Sequence, residues 1–326
     1  MSFYRTWSRP TAQLWEPILP EFIRGVIMEF MGSLLFLFTS VGTVVFSCNT
    51  SGSLSAGGQA TATCSLDESR VTVIAFSFGI AIFTMIYLVA PFSGGHLNPA
   101  VTVGLLVGCR ITLLRAVFFI PAQLAGATVG VGLVKAVSKT NYAISGGGAN
   151  ALAGGATLGG AWTMETVLTF GLMIIVMMAT DSGRSRVASH VPVLAPLAIG
   201  LWVFLSHLVA IPIDGCSINP ARTFGAAVVS HNWAQHWLYW VGPLAGAIIA
   251  GIFYSIVMEP IAVDIVDPDA YPVKLPHFPG QGTMRERNWQ SLKEEIANAD
   301  NDIEQNGDEP ADSATSSPIA RKSRRA

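Results

Sequence analysis

Six long apolar segments, separated by shorter polar stretches, dominate the first 260 positions of the chain. They fall at about 24–47, 71–91, 113–137, 161–180, 191–213 and 236–258. Each segment is close to the ~20 residues that an α-helix needs to cross the hydrocarbon core of a bilayer. The pattern therefore predicts an all-α membrane protein with six transmembrane helices.

The distribution of charge agrees with this pattern and separates the carboxyl-terminal part of the chain. Only 12% of the 326 residues are Asp, Glu, Lys or Arg, against roughly 25% in soluble domains. Positions 261–326 carry 12 acidic and 8 basic residues, which is half of all the charged residues. The net charge of −2 gives no reason to expect nucleic acid as a partner, and the four cysteines lack the spacing of a zinc or redox site. We expect a membrane body with a polar tail, without a cofactor.

Basic residues between the segments predict how the chain is oriented. Six crossings place both termini on one side of the membrane, and cytoplasmic loops are the ones enriched in arginine and lysine. One side carries few basic residues, such as Arg70 and Lys139. The other side carries Arg5, Arg9, Arg24, Arg110, Arg115, Arg184 and Arg186. Both termini are therefore expected in the cytoplasm.

Two further apolar segments, at about 98–108 and 219–229, are too short to cross a membrane. Each follows a glycine-containing turn and opens with the same triad. The triads are Asn98-Pro99-Ala100 and Asn219-Pro220-Ala221. Proline suits the first turn of a helix, because its missing N–H is not needed there. Each segment is predicted to be a half-helix that enters the membrane and stops, which is tolerable only where its end lines a wet cavity or is buried in protein.

The chain also contains an internal repeat. The two triads are 121 positions apart, and Leu124–Ala127 recurs as Leu244–Ala247 at an offset of 120. Glu29 in the first helix and Glu165 in the fourth form a third pair. Because each half contains an odd number of spans, the second half must be inverted relative to the first. The half-helices then enter from opposite faces and meet near the midplane, as in inverted-repeat transport proteins.

The predicted meeting point of the half-helices favours neutral polar molecules over cations. Each half-helix directs its amino terminus, with its partial positive charge, at the centre of the membrane. Asn98 and Asn219 cap these termini and carry side-chain N–H donors that can face a lumen. Arg222 follows the second triad, where a charge at membrane depth is costly, so we expect it to face water and repel cations. Purely capping asparagines and a purely structural arginine are the alternatives.

These residues resemble the aquaporin family of major intrinsic proteins, and the resemblance covers about 22–258. The resemblance to the family rests on the triads, Arg222 and the segments before the triads, Ser93–Leu97 and Gly215–Ile218. Two further segments resemble the plasma-membrane intrinsic subgroup of plants and algae, Ser189–Leu197 and Phe224–Val229. The resemblance implies an aquaporin-like right-handed bundle. In that fold, six transmembrane helices and two re-entrant half-helices form an inverted repeat.

In this family four residues form the narrowest part of the pore, and by position they correspond to Phe78, His207, Cys216 and Arg222. The resemblance implies that water passes in single file between the aromatic ring, the imidazole and the guanidinium. Members that pass glycerol usually have an aspartate after the arginine, where this chain has Thr223. The resemblance thus implies a passive, water-selective channel that excludes protons and ions, and not an enzyme.

Other functions stay open on the sequence alone. A broader channel would also pass hydrogen peroxide, carbon dioxide or glycerol. Inverted repeats with broken helices occur in ion-coupled secondary transporters as well, although Glu29 and Glu165 occupy equivalent scaffold positions in the two halves. The long polar tail is the one feature that suits a scaffolding protein with a closed pore.

The resemblance further implies supporting and gating residues. Glu29 and Glu165 would accept hydrogen bonds from the re-entrant loops, and His96 would brace the first of them. His190, in the connection after the fourth helix, would close the pore when acidification protonates it. Thr112 stands where the subgroup often has a phosphorylatable serine.

Two pairs of residues have competing interpretations. Glu16 and Glu21 are candidate counterparts of acidic residues that hold a divalent cation in the subgroup, but the local sequence does not match and no metal site is predicted. Cys64 lies where subgroup members often link the monomers of a tetramer. The nearby Cys48 makes a disulfide within the chain the alternative.

The predicted domain organisation follows from these assignments. A cytoplasmic segment at 1–21 precedes a channel domain at 22–258, and a cytoplasmic, largely disordered tail follows at 259–326. The repeat halves of the channel domain are at about 22–137 and 158–258. The resemblance implies a homotetramer, with a pore in each chain, in the plasma membrane. Its partners would be water and the lipid bilayer.

Overall fold

Helices make up most of the residues that the structure describes. The computed structural model of the chain describes residues 18–48, 53–54, 60–61, 64–181 and 191–258. The helices are α1 (Pro20–Phe46), α2 (Glu68–Ser93), α3 (Pro99–Val107), α4 (Leu113–Val137), α5 (Lys139–Ile144), α6 (Leu158–Ala179), α7 (Val191–Asp214), α8 (Pro220–Ser230) and α9 (Leu238–Phe253). A 3₁₀ turn at Gly146–Gly148 precedes α6, and α9 continues as a π-helical turn at Tyr254–Met258.

Six of these helices, α1, α2, α4, α6, α7 and α9, are long and apolar enough to cross a membrane. Large apolar side chains project from their outer faces, as Phe76, Ile80 and Tyr87 do on α2. The half-helices α3 and α8 have 9 and 11 residues, which at 1.5 Å per residue is about half of the hydrocarbon thickness. The predicted integral membrane fold, with six spans and two half-helices, is confirmed.

Helix starts are fixed by local capping interactions. At the start of α2, the carboxylate of Asp67 accepts hydrogen bonds from the hydroxyl of Ser69 at 2.7 Å and from the amide of Arg70 at 2.8 Å. These hydrogen bonds hold the pKa of Asp67 below its usual value. The side chains of Thr112 and Thr157 cap α4 and α6 in the same way.

The two halves of the repeat pack alike. Helix α1 packs on α4 as α6 packs on α9, and the contact between α2 and α7 joins the two halves. Half-helix α3 packs mainly on α9, while α8 packs mainly on α4. Each half-helix is therefore held chiefly by the opposite half, and α3 and α8 also contact each other.

Glycines permit the close approach of the paired helices. A Cβ atom added to Gly126 or Gly130 on α4 would overlap the backbone carbonyls of Phe30 and Leu34 on α1. Gly246 on α9 faces the backbone of α6 in the same way. Small residues at helix contacts allow the backbones to approach closely in a membrane, where packing drives association.

Replacement of Gly130 by alanine is expected to destabilise the bundle by about 1–3 kcal/mol, the usual cost of overpacking a well-packed contact. The matched control is Gly132→Ala on the same helix, because an added Cβ there meets no atom within 4 Å. Thermal unfolding of the purified proteins in detergent measures the difference. Equal melting temperatures for the two variants would contradict the proposed contact.

The connection between α1 and α2 contains structure that the apolar pattern did not predict. Ser53–Leu54 (β1) and Ala60–Thr61 (β2) form a short antiparallel pair. A disulfide joins Cys48 and Cys64, whose Cα atoms are 5.3 Å apart. Of the two alternatives for Cys64, the structure contains the bridge within the chain.

Parts of the predicted domain organisation lie outside the described residues. They include most of the amino-terminal segment and the whole tail at 259–326. The boundaries of the three regions stay predictions.

Candidate functional site

Each half-helix begins at an asparagine that caps it. The side-chain oxygen of Asn98 accepts a hydrogen bond from the amide of Ala100 at 2.8 Å. The side-chain oxygen of Asn219 accepts one from the amide of Ala221 at 3.0 Å. A proline occupies the first helical turn in both cases, where its fixed φ suits the helix. The repeated triad thus forms the same local structure twice.

The two caps are hydrogen-bonded across the repeat. Nδ2 of Asn98 donates to the carbonyl of Ile218 at 2.8 Å, and Nδ2 of Asn219 donates to the carbonyl of Leu97 at 2.9 Å. Leu97 and Ile218 have φ values of 50° and 45°, in the left-handed region that such residues adopt at a cost. The amino termini of α3 and α8 therefore meet head to head, and each amide nitrogen keeps a second N–H.

Two buried glutamates contact the loops that lead into the half-helices. Glu29 and Glu165 are both fully buried. Glu29 accepts hydrogen bonds from the amides of His96 and Leu97, at 3.0 and 2.7 Å. Glu165 accepts hydrogen bonds from the amides of Ser217 and Ile218, both at 2.6 Å. Each carboxylate thus binds two successive amides of a loop with its two oxygens, which fits a bracing role.

His96 packs in the first loop beside the cap of α3. Its Nδ1 lies 3.2 Å from the hydroxyl of Thr102, and its ring meets the edge of Phe119 at a centroid distance of 5.3 Å. The side chain is 5% exposed and lines the cavity described below. These contacts fit the predicted bracing role.

Arg222 is anchored by acceptors of two loops. Its Nη1 donates to the carbonyl of Gly148 at 2.6 Å and to the side chain of Asn150 at 2.7 Å, and its Nη2 is 3.4 Å from the carbonyl of Gly215. Its Nε is buried and has no hydrogen-bond partner among the described residues. The guanidinium is therefore held by protein through three of its five N–H groups, and Nε–H and one Nη2–H have no acceptor among the described residues.

Phe78, His207 and Arg222 come together near the second half-helix. The rings of Phe78 and His207 are stacked, with centroids 4.1 Å apart and planes at 25°. The guanidinium carbon of Arg222 lies 5.4 Å from the centroid of Phe78. Nδ1 of His207 is 2.8 Å from the carbonyl of Val203, so Nδ1 carries the proton and Nε2 is an acceptor. Cys216 is completely buried beside them in the second loop.

The contact between Phe78 and His207 changes the predicted path of water. Rings 4.1 Å apart are in van der Waals contact, so no water molecule fits between them. The passage predicted between Phe78, His207 and Arg222 stays a prediction, in which water does not pass between the two rings. Beside the stacked pair, Nε2 of His207 and Nε of Arg222 are buried and have no hydrogen-bond partner among the described residues.

A cavity of about 770 Å³ leads into the bundle as far as this constriction. It begins where α6 ends and α7 begins, at Thr180 and Ala195, and passes the two capping asparagines. Phe78 and His207 line its far end. The cavity therefore connects one side of the bundle with the meeting point of the half-helices.

Of the predicted gating and divalent-cation candidates, the structure describes Thr112 and Glu21, and neither lines this cavity. His190 and Glu16 lie outside the described residues. Thr112 accepts a hydrogen bond from the amide of Arg115 at 3.1 Å at the start of α4, and Glu21 is exposed in the first turn of α1. Over the described residues, no group of three or more His, Cys, Asp and Glu side chains has the arrangement of a metal site.

Two buried polar residues of the site were not predicted. Asn150 accepts hydrogen bonds from Arg222 and from the hydroxyl of Thr223, at 2.7 Å each. Asp214 is fully buried at the end of α7. Asn150 lies in a glycine-rich connection, where the sequence offers no periodicity, and Asp214 precedes a turn glycine, so neither position carries a local signal of function.

Comparison with known proteins gives a consistent result over most of the chain. The family model described as Major intrinsic protein matches residues 18–254. Probable aquaporin PIP2-8 of Arabidopsis thaliana is 44% identical, over 78% of this chain and 88% of the relative. An aquaporin of PIP type from Atriplex canescens is 45% identical, over 78% and 87%. Aquaporin PIP2-1 of Arabidopsis thaliana is 46% identical, over 73% and 82%.

A solved structure has the same fold. The aquaglyceroporin from Plasmodium falciparum superposes with a TM-score of 0.60, over 73% of this chain and 98% of that one. At 23% sequence identity, this likeness concerns the fold alone. The family match and the relatives above, together with the paired half-helices, show that the chain belongs to the major intrinsic protein family, the aquaporins.

Proposed function

We propose that the chain is a passive channel that passes water in single file and excludes protons and other ions. Its family makes it a membrane channel for water or small solutes, and the proposal adds the selectivity. The observation that carries it is the cavity that passes Asn98 and Asn219, each of which keeps one side-chain N–H without a partner among the described residues. Buried polar atoms are normally paired. A passing water molecule supplies the acceptor that these N–H groups lack, and we expect the file to continue past Nε2 of His207 and Nε of Arg222, which are buried and have no hydrogen-bond partner among the described residues.

The charge distribution along this path opposes cations. Arg222 is 3% exposed and places a guanidinium at the constriction. Beyond it, the amino termini of α3 and α8 add partial positive charge at the centre of the bundle. The second N–H groups of Asn98 and Asn219 are positioned to donate to one water there. That water turns both lone pairs toward the asparagines, so its own hydrogens point away along the file and the proton relay is interrupted.

The constriction favours water over larger permeants. Its lining combines an aromatic ring with polar atoms and gives a carbon chain little apolar contact, which disfavours glycerol. Hydrogen peroxide is close to water in size and polarity and is the second permeant that the site suits. Ion-coupled transport is disfavoured, because both oxygens of Glu29 and of Glu165 are occupied by loop amides.

We also propose a homotetramer in the plasma membrane with both termini in the cytoplasm. The apolar outer faces of the spans provide surface for lipid and for neighbouring chains. Each chain by itself contains the cavity and the constriction, so it needs no neighbour to form a pore. The relatives are named as PIP aquaporins, and the resemblance of the sequence to the plasma-membrane intrinsic subgroup supports the location. The arginine-rich connections support the orientation.

Acidification of the cytoplasmic side is expected to close the channel through His190. Histidine titrates near pH 6.5, and the cavity begins at Thr180, two residues before the undescribed segment that contains His190. Water permeability of the parent should fall by about tenfold or more as pH drops through about 6.5, which corresponds to a bias of 1.4 kcal/mol toward the closed state. His190→Ala should stay open. Equal closure of both proteins by acid would refute the gate.

Water flux in liposomes tests the proposed function. The purified full-length chain is reconstituted, and vesicle shrinkage after an osmotic step is followed by stopped-flow light scattering. The proposal predicts shrinkage many times faster than in protein-free vesicles, and glycerol entry no faster than in them. Shrinkage at the rate of protein-free vesicles, with correctly folded protein present, contradicts it.

A further inference from the structure

The carboxylate of Glu29, in the first half of the repeat, receives a full set of hydrogen bonds. Besides the two loop amides, it accepts from the hydroxyl of Ser93 at 2.5 Å and from Nε2 of Gln123 at 2.7 Å. Ser93 itself accepts from the amide of Gly95 at 3.0 Å. Each oxygen of this buried carboxylate therefore has two donors.

The equivalent carboxylate of Glu165 has fewer donors. Within the described part of the chain, the amides of Ser217 and Ile218 are its hydrogen-bond donors. The offset of 120 that relates α4 and α9 places Pro243 at the position of Gln123, and a proline side chain has no donor. Glu165 therefore lacks the two side-chain donors that its counterpart has in the first half.

Asp214 occupies the position equivalent to Ser93, at the offset of 121. Its Oδ1 accepts from the amide of Cys216 at 2.9 Å, as Ser93 accepts from Gly95. Its Oδ2 is buried and has no hydrogen-bond partner among the described residues. In the first half, the group at this position is a hydroxyl that donates to the glutamate. In the second half, a carboxyl group with a free oxygen takes its place.

The charged and titratable groups around Asp214 do not supply the missing donor. Glu165 on α6, Arg222 on α8, Cys216 in the loop and Tyr239 on α9 are all within electrostatic reach of it. Arg222 donates three of its four Nη hydrogens to the loop acceptors described above and makes no hydrogen bond to Oδ2 of Asp214. The hydroxyl of Tyr239 donates to the backbone carbonyl of Asp214 at 3.2 Å. Two ionised carboxylates buried together repel each other, and a buried charge without a donor is costly.

We propose that Asp214 is protonated and that its Oδ2–H donates a hydrogen bond to Glu165, so that the two carboxyl groups share one proton. This proton replaces the hydroxyl hydrogen of Ser93 in the first half. The pair then carries one negative charge, as Glu29 does alone. Asp214 is thereby a positioning residue, which completes the brace on the second loop and so fixes Arg222 at the constriction. The proposal concerns the site of the proposed function but holds whether or not water passes.

Infrared spectroscopy of the full-length protein in lipid tests the shared proton. At neutral pH, the parent is expected to show the C=O stretching band of a protonated carboxylic acid, with a shift in D₂O. Asp214→Asn should lose this band, while its side-chain amide still donates to Glu165. Superimposable spectra of the parent and Asp214→Asn in this region would overturn the proposal. The band reports the proton directly and does not depend on water flux. An absence of water flux in vesicles that show the band would therefore refute the proposed function but not the shared proton.

Thermal unfolding supplies a second test, which compares donors at position 214. Asp214→Asn and Asp214→Ser keep a donor toward Glu165 and should melt close to the parent. Asp214→Leu has no donor and should melt several degrees lower. The proposal is overturned if Asp214→Leu is as stable as the parent. It is equally overturned if Asp214→Asn is clearly more stable than the parent, because that gain would mean that the parent carries two buried negative charges.

Discussion

Replacing Arg222 by alanine is expected to let protons and small cations pass while water still flows. The guanidinium is nearly completely buried at the constriction, where water screens it poorly. A unit charge about 5 Å from a cation opposes it by about 3 kcal/mol at an effective dielectric constant of about 20. Proton conductance should therefore rise by up to about 100-fold, since 1.4 kcal/mol corresponds to a factor of ten.

Proton entry into vesicles that contain a pH-sensitive dye, under an imposed membrane potential, measures this effect. Arg24→Ala is a suitable control, because Arg24 is exposed near the start of α1. Water flux in the same vesicles shows that the variant still folds despite the loss of its bonds to Gly148 and Asn150. Unchanged proton conductance in a variant that passes water would show that Arg222 is not the cation barrier.

Replacing His207 by alanine is expected to admit glycerol. The imidazole is in contact with the ring of Phe78, so its removal leaves a space beside that ring and beside Arg222. Alanine is a good helix former and does not disturb α7. Glycerol uptake should rise by about tenfold or more, because relief of 1.4 kcal/mol of steric overlap is sufficient for that factor.

Val209→Ala is the matched control for this variant. Val209 lies on the same helix, and half of its side chain is exposed on the outer face. Glycerol uptake is followed by the reswelling of vesicles after a glycerol step in the stopped-flow instrument. If glycerol stays excluded from His207→Ala, the imidazole does not set the size of the aperture.

The positions of the helices could be predicted from the sequence because they depend on local composition and on the repeat. A span of about twenty apolar residues has few alternatives in a bilayer. The Asn-Pro-Ala triads carry their own capping chemistry, and the observed caps at Asn98 and Asn219 use it. The odd number of spans in each half then makes the half-helices oppose each other.

The details of the constriction could not be predicted, because they depend on contacts between distant segments. The stacking of Phe78 on His207 depends on how α2 packs against α7. Asn150 reaches Arg222 from a glycine-rich connection without periodicity. The surroundings of Asp214 become informative only when the two halves are superposed, because the missing donors of Glu165 are visible by comparison with Glu29.

A cryo-EM map of the protein in lipid nanodiscs that resolves ordered water tests the central claim most directly. We expect a single file of waters through each chain. It should pass Nε2 of His207 and Nε of Arg222 and continue to one water bonded to both Asn98 and Asn219. A map in which these asparagines contact no water, or in which Nε of Arg222 is bonded to protein, would contradict the account.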